Sequence, residues 1–236
     1  MPENRPLYAV LIDADNIPAR YAQAILKEIT TFGEPALRRV YGDWGADRLR
    51  PWTERVRELG LVAHQETANT KGKNASDIGL VIDAMDILHT GRFDGFVLVS
   101  SDSDFTALAN RVREQGLDVI GIGEAKAPES LRNVCNRFIL IENIAEDTQD
   151  QKDKSAPLQK LNAAEAQPLI LRAMDKIDTD DEWVTMGQLG QYLTAENPDF
   201  DTRSYGKRKL SDLIKDLKIL ESKRGPGNQL MVRRLD

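Results

Sequence analysis

From Tyr8 to Ile141 the chain alternates short apolar, β-rich runs with longer stretches whose apolar residues recur at helical spacing. Strand-helix alternation of this kind admits few folds, because parallel strands need a crossover long enough to hold a helix. The runs Tyr8 to Ile12, Leu37 to Tyr41, Leu61 to His64, Gly95 to Ser100, Asp118 to Ile122 and Phe138 to Ile141 read as strands. Ala19 to Phe32, Leu49 to Leu59, Ser76 to His89 and Phe105 to Gln115 read as helices, and Gly33, Gly60 and Gly116 end three of them. The expected fold is α/β, a parallel sheet flanked by helices.

The pattern stops after Ala145, where Gln149, Asp150, Gln151, Lys152, Asp153, Lys154 and Ser155 follow one another without periodicity. That composition marks a linker, placed at residues 148–163 between a first domain at 1–147 and a second at 164–236. In the second domain Ala166 to Ile177, Thr185 to Leu193 and Gly206 to Leu217 suit helices. Ile219 to Ser222 and Gln229 to Arg233, on either side of Gly225-Pro226-Gly227-Asn228, suit a hairpin. Three helices and a hairpin describe a small winged-helix (α+β) domain.

No apolar run approaches the roughly 18 residues of a membrane span, and Met1 to Pro6 lacks the apolar core of a secretory signal. The lone Cys135 excludes an internal disulfide and a cysteine-rich zinc site, so the expected location is cytoplasmic. The net charge of −6 is unevenly spread: residues 1–150 hold 17 Lys+Arg against 24 Asp+Glu, and residues 151–236 hold 15 against 14. Between Arg203 and Arg234, ten bases face three acids, a local +7 that suits phosphate as well as it suits a solvated face.

The acids of the first domain follow strand ends. Asp13 and Asp15, then Asn16, come after the first strand; Ser101, Asp102, Ser103 and Asp104 come after the fourth. Ligands of open parallel sheets bind beyond the carboxyl ends of the strands, and Asp77 opens the helix before the fourth strand. Clustered carboxylates repel one another unless a cation joins them, and an all-oxygen donor set suits Mg²⁺ or Mn²⁺. Each acid taken singly also serves as a helix cap; their joint placement favours a site at which a metal activates water toward phosphorus.

The motifs Ile12-Asp13-Ala14-Asp15-Asn16, Lys71-Gly72-Lys73-Asn74-Ala75-Ser76-Asp77-Ile78 and Ser100-Ser101-Asp102-Ser103-Asp104-Phe105 resemble those of the NYN family of PIN-like ribonucleases, over about residues 5–145. The resemblance implies a PIN-like sheet with strands one and four adjacent, and RNA phosphodiester hydrolysis, expected to be endonucleolytic. It also implies metal ligation by Asp13, Asp77, Asp102 and Asp104, with Asn16 orienting a ligand or water. Trp183, Pro198-Asp199-Phe200, Tyr205-Gly206-Lys207-Arg208-Lys209-Leu210 and Leu213 resemble the LOTUS domain, also called OST-HTH, a winged-helix module linked with RNA binding. Some modules of that class bind proteins instead, which leaves a protein partner or a homo-oligomer contact as the alternative for this half.

Lys71 and Lys73 stand beside Asp77 as candidate phosphate contacts, and Lys207, Arg208, Lys209, Lys223 and Arg224 as RNA contacts. Trp44 and Trp52, with Arg48 and Arg50, offer an aromatic-basic loop for single-stranded bases, core packing being the plainer role for one of them. His64 and His89 lack zinc-ligand spacing. Two rivals remain on sequence grounds. One is a haloacid-dehalogenase-like phosphatase with Asp13 as nucleophile, Asp15 as acid and Ser100 on phosphate; the other is a catalytically silent RNA-binding adaptor.

Overall fold

The structure is a computed structural model that describes residues 5–65, 75–145, 160–177 and 181–235. The chain divides into two compact units, Met1–Asp153 and Lys154–Asp236. Most of the expected linker, and Lys71 and Lys73, lie outside the described residues.

In the first unit β1 (Leu7–Asp13), β2 (Glu34–Gly42), β3 (Val62–Gln65), β4 (Gly95–Val99), β5 (Asp118–Gly123) and β6 (Arg137–Leu140) form one sheet in the order β3-β2-β1-β4-β5-β6. All five pairings are parallel, and β1 lies between β2 and β4. The helices are α1 (Ala22–Ile29), α2 (Arg50–Leu59), α3 (Ala75–His89), α4 (Thr106–Glu114), α5 (Glu129–Val134) and α6 (Ile141–Ala145). Both faces of the sheet are covered, which explains why β1 and β4 read as unbroken apolar runs. Val10, Ile12, Val97 and Val99 pack with residues of α1, α2 and α6; Ala9, Leu11, Phe96 and Leu98 pack with residues of α3, α4 and α5. Strand alternation carries the Leu11 parity on to Asp13, so β1 delivers its last carboxylate to the α3 side.

Two glycines stop helices for different reasons. Gly60 follows α2 at φ 61°, a left-handed cap that glycine adopts without a Cβ clash. Gly33 is needed for close approach: a Cβ there would lie 2.3 Å from the Pro6 carbonyl oxygen. The sequence reading missed α5 and α6, whose six and five residues are too few to show a helical period.

The second unit holds α7 (Gln167–Lys176), α8 (Met186–Glu196) and α9 (Leu210–Asp216), with an antiparallel sheet of β7 (Val184–Thr185), β8 (Leu220–Arg224) and β9 (Leu230–Arg234) in the order β7-β9-β8. The β8-β9 hairpin is the expected one; β7, two residues long, is an addition to it. Ile170, Leu189, Leu193, Leu213, Ile214 and Val232 centre a separate core. No helix among the described residues is long and apolar enough to cross a membrane.

Candidate active site

Asp13 ends β1 and is 3% exposed. Its Oδ1 accepts from the backbone N–H groups of Asp15 and Asn16, each at 3.1 Å, and its Oδ2 accepts from the Ser100 hydroxyl at 2.8 Å. Three of the roughly four acceptor positions of an ionised carboxylate are therefore used. Burial pushes the Asp13 carboxyl up to about 7; the Ser100 hydrogen bond opposes the rise, and the charges of Asp77 and Asp15 add to it.

Ser100 joins the two strand ends. While its hydroxyl donates to Asp13, its oxygen accepts from the Asp102 N–H at 3.1 Å. Asn16 reinforces the join by accepting the Ser101 N–H through Oδ1 at 3.3 Å, which is how the structure uses a residue expected to orient ligand. Asp102 caps the short 3-10 turn Ser103–Phe105 by accepting from the Asp104 N–H at 2.9 Å, so its capping role is real and occupies one oxygen.

Asp77 lies half-buried in the first turn of α3. Its carboxyl is raised by burial, then by the charges of Asp102, Asp15 and Asp104, and among the described residues it has no hydrogen bond or ion pair. Asp13, Asp77, Asp102 and Asp104 thus come from three segments distant in sequence yet share one electrostatic field. Asp15 does something else: it accepts from Arg48 at 2.8 Å and from the Ser76 hydroxyl at 2.9 Å, latching the loop before α2 to the start of α3.

Among the described residues no three His, Cys, Asp or Glu side chains stand close enough to form a ready-made metal cage. The donor set nonetheless fits Mg²⁺ or Mn²⁺. Mg²⁺ is commonly held by one or two carboxylates with waters and substrate phosphates, and Asp77, without a partner among the described residues, and the buried Asp13 are carboxylates whose charge a cation would relieve. Asp83, farther along α3, is paired with Arg39 and Tyr41.

The NYN domain profile matches residues 8–142, more than half of the sequence. The chain belongs to the NYN family. Its members are nucleases, and the adjacency of β1 and β4 is the arrangement expected of a PIN-like sheet. A crystal structure of a protein of unknown function from Vibrio parahaemolyticus shares the fold, with a TM-score of 0.51 at 20% identity over 60% of this chain and 96% of that one. An uncharacterized protein of Nitrosomonas europaea is 34% identical over 39% of this chain and 90% of its own, with a TM-score of 0.29. No match is found among curated proteins.

Beyond the NYN domain, residues 151–232 match the OST-HTH/LOTUS domain. Of its expected RNA contacts, Lys207 pairs with Asp216, while Arg208 and Lys209 are exposed and have no acidic partner among the described residues. Arg224 donates to Asn228 Oδ1 at 2.7 Å, and Lys223 lies over the Trp183 ring. In the NYN domain Trp52 is a core residue, its indole donating to the Ile17 carbonyl at 2.9 Å. Trp44 packs partly against the same core and donates to the His64 carbonyl at 2.7 Å. Trp52 thus takes the core role expected of one of the pair, and Trp44 is only partly exposed. Sequence reasoning missed the joining role of Ser100, although its place between the last strand residue and the Asp102 turn was the available signal.

Proposed function

We propose that this NYN protein is a metal-dependent ribonuclease that hydrolyses RNA internally at the edge formed by the ends of β1 and β4 and the start of α3, with the OST-HTH domain holding the RNA. The observation that carries the reading is the buried Asp13, fixed through Ser100 to the Asp102 turn and facing the like charge of Asp77. A fold that only needed a helix cap gains nothing from desolvating that carboxylate, whereas a cation site gains a rigid anionic anchor.

One or two at a time of Asp13, Asp77, Asp102 and Asp104, with waters and substrate phosphate, would hold Mg²⁺ or Mn²⁺, which when bound supplies Lewis acidity to water and to a phosphoryl oxygen. The chain's own part is positional. Ser100 fixes the rotamer of Asp13, Asn16 keeps the two strand-end loops together, and Asp15 holds Arg48 at the rim of the acids. A phosphatase with Asp13 as nucleophile would leave the like charges gathered around Asp77 without a role.

The test is incubation of the purified protein with labelled single-stranded and structured RNAs in Mg²⁺, Mn²⁺ or EDTA. Internal cleavage products in either metal and none in EDTA are expected. Tight RNA binding with intact RNA under all three conditions would establish the adaptor reading instead.

A further inference from the structure

The three tryptophans are used unequally. Trp44 and Trp52 pack against the first core with their indole N–H groups bonded. Trp183, just before β7, belongs to no core cluster, and its N–H has no hydrogen-bond partner among the described residues. Its ring is covered by cations: Lys223 Nζ lies 3.8 Å and Arg233 Cζ 4.8 Å from the ring centroid. In the β8-β9 register Glu221 pairs with Arg233 and Lys223 with Met231, while Val232 points into the core. Strand alternation therefore puts Glu221, Lys223 and Arg233 together on the face away from the core.

The two cations are held differently. Arg233 is fixed by Glu221 at 2.9 Å and Glu182 at 3.0 Å, so its charge is matched and its departure would break two ion pairs. Lys223 is exposed and has no acidic partner among the described residues, as is also true of its neighbour Arg224. A lysine on a flexible stem leaves an aromatic face at small cost, since an exposed cation–π contact contributes only about 0.5–1 kcal/mol. Once it swings aside, the uncovered indole has the unmatched charge of Lys223 beside it; Arg224, of opposite strand parity, adds a second unmatched charge at the hairpin end.

We propose that the outer face of the β7-β9-β8 sheet is a stacking platform for an unpaired RNA base, with Trp183 as the stacking surface and Lys223 as the contact to a flanking phosphate. The inference rests on the reading that the OST-HTH domain holds RNA, and it specifies where and in what form. Every base presents a π-face, so the platform is tolerant of sequence; bases inside a duplex are already stacked, so it selects single strands. The unmatched charge on the hairpin favours a polyanion over an apolar protein surface as the occupant.

The experiment uses the full-length chain in EDTA, so that cleavage does not compete, with a short single-stranded RNA and a duplex of the same length as probes. Stacking should quench indole emission on addition of the single strand, and Trp183→Phe should remove most of that change while keeping most of the affinity. Trp183→Leu, which keeps apolar bulk without an indole, should weaken single-strand binding on the order of tenfold and duplex binding little. Melting of both variants like the unaltered protein will show that the domain is folded, as expected for a residue outside the core. Equal single-strand affinity in Trp183→Leu, alongside a loss in Arg208→Ala/Lys209→Ala, overturns the platform alone and turns Trp183 toward a protein partner. Failure of the unaltered chain to bind either RNA overturns the RNA reading of the whole domain, and the platform with it.

Discussion

Acids meet acids at the sheet edge of the NYN domain, and acids meet bases across the OST-HTH domain. Ionisation of Asp77 is opposed by burial and then by Asp102, Asp15 and Asp104, and Asp13 is desolvated beside them. In the second unit Asp201 holds Arg203, Asp216 holds Lys207, Asp212 faces Lys215, and Asp175 holds Arg234. The exposed pairs among these, all but that of the buried Asp201, contribute about 0–1 kcal/mol each, and none needs a ligand to explain it. Unmatched like charge lowers the stability of the fold that carries it, so its presence points to a counter-charge from outside. By the same logic, matched charge removes residues from the candidate interface: the apparent +7 of the C-terminal stretch shrinks to a few free bases.

The sharpest way to break this contrast is at Asp13. Asp13→Asn should lower RNA cleavage roughly thousandfold, because an anchor for a catalytic cation supports several kcal/mol of transition-state stabilisation. Single-turnover cleavage in Mg²⁺ measures it. Undiminished cleavage would reduce the acid cluster to a set of helix caps.

The same substitution should act on stability in the opposite sense. The folded-state Asp13 carboxyl lies at about 7, against an ordinary 3.8. Between those values the folded, metal-free protein binds more protons than the unfolded chain. This contribution is therefore fully present below pH 3.8 and is lost as the pH rises through about 7, by up to about 4 kcal/mol at 1.36 kcal/mol per unit. Metal-free melting of the NYN domain should accordingly weaken across that window, and Asp13→Asn should flatten the profile and raise the melting temperature at neutral pH. An identical pH profile in the variant would mean that Asp13 is not the strained group.

Divalent cation should repay the like charge on the same domain. A ligand present at a hundredfold its dissociation constant stabilises the folded state by about 2.7 kcal/mol, read as a rise in the melting transition with Mn²⁺. Asp77→Asn or Asp102→Asn should lose most of that rise, while the OST-HTH transition should show none in any variant. Equal shifts in all of them would place the ions elsewhere.

What the sequence revealed divides along the same line. Strands such as β1 and β4 were legible because burial on both faces leaves an unbroken apolar run, and Asp13 and Asp102 were legible because they stand where those runs stop. The latch made by Asp15 was not, since its partners Arg48 and Ser76 lie 33 and 61 residues away. Nor was the shrinkage of the basic stretch, because Asp175, Glu182 and Asp201, which match three of its arginines, lie outside it in sequence. Trp183 carried a family resemblance; only the sheet register shows it left outside the core with Lys223 and Arg233. Local patterns report burial, and charge matching is decided by contacts between segments that no local pattern joins.

The smallest expected effect tests that matching directly. For a single-stranded RNA, each phosphate neutralised by a base adds about 0.7 to the slope of log affinity against log salt. Arg208 and Lys209, exposed and without acidic partners among the described residues, should each count, so Arg208→Ala/Lys209→Ala should make the slope shallower by about 1.4 if both touch phosphate. Lys207 is already matched by Asp216. The paired change Lys207→Ala/Asp216→Asn removes one charge of each sign, keeps the net charge, and should leave the slope where it was. Filter binding of the full-length chain across a salt series, in EDTA, reads both. Equal losses in the two double variants would show that Lys207 abandons Asp216 for RNA, and that ion pairs in this domain are switched by the ligand; a loss in neither would remove the Gly206–Lys209 loop from the interface and leave the hairpin to carry the phosphate contacts.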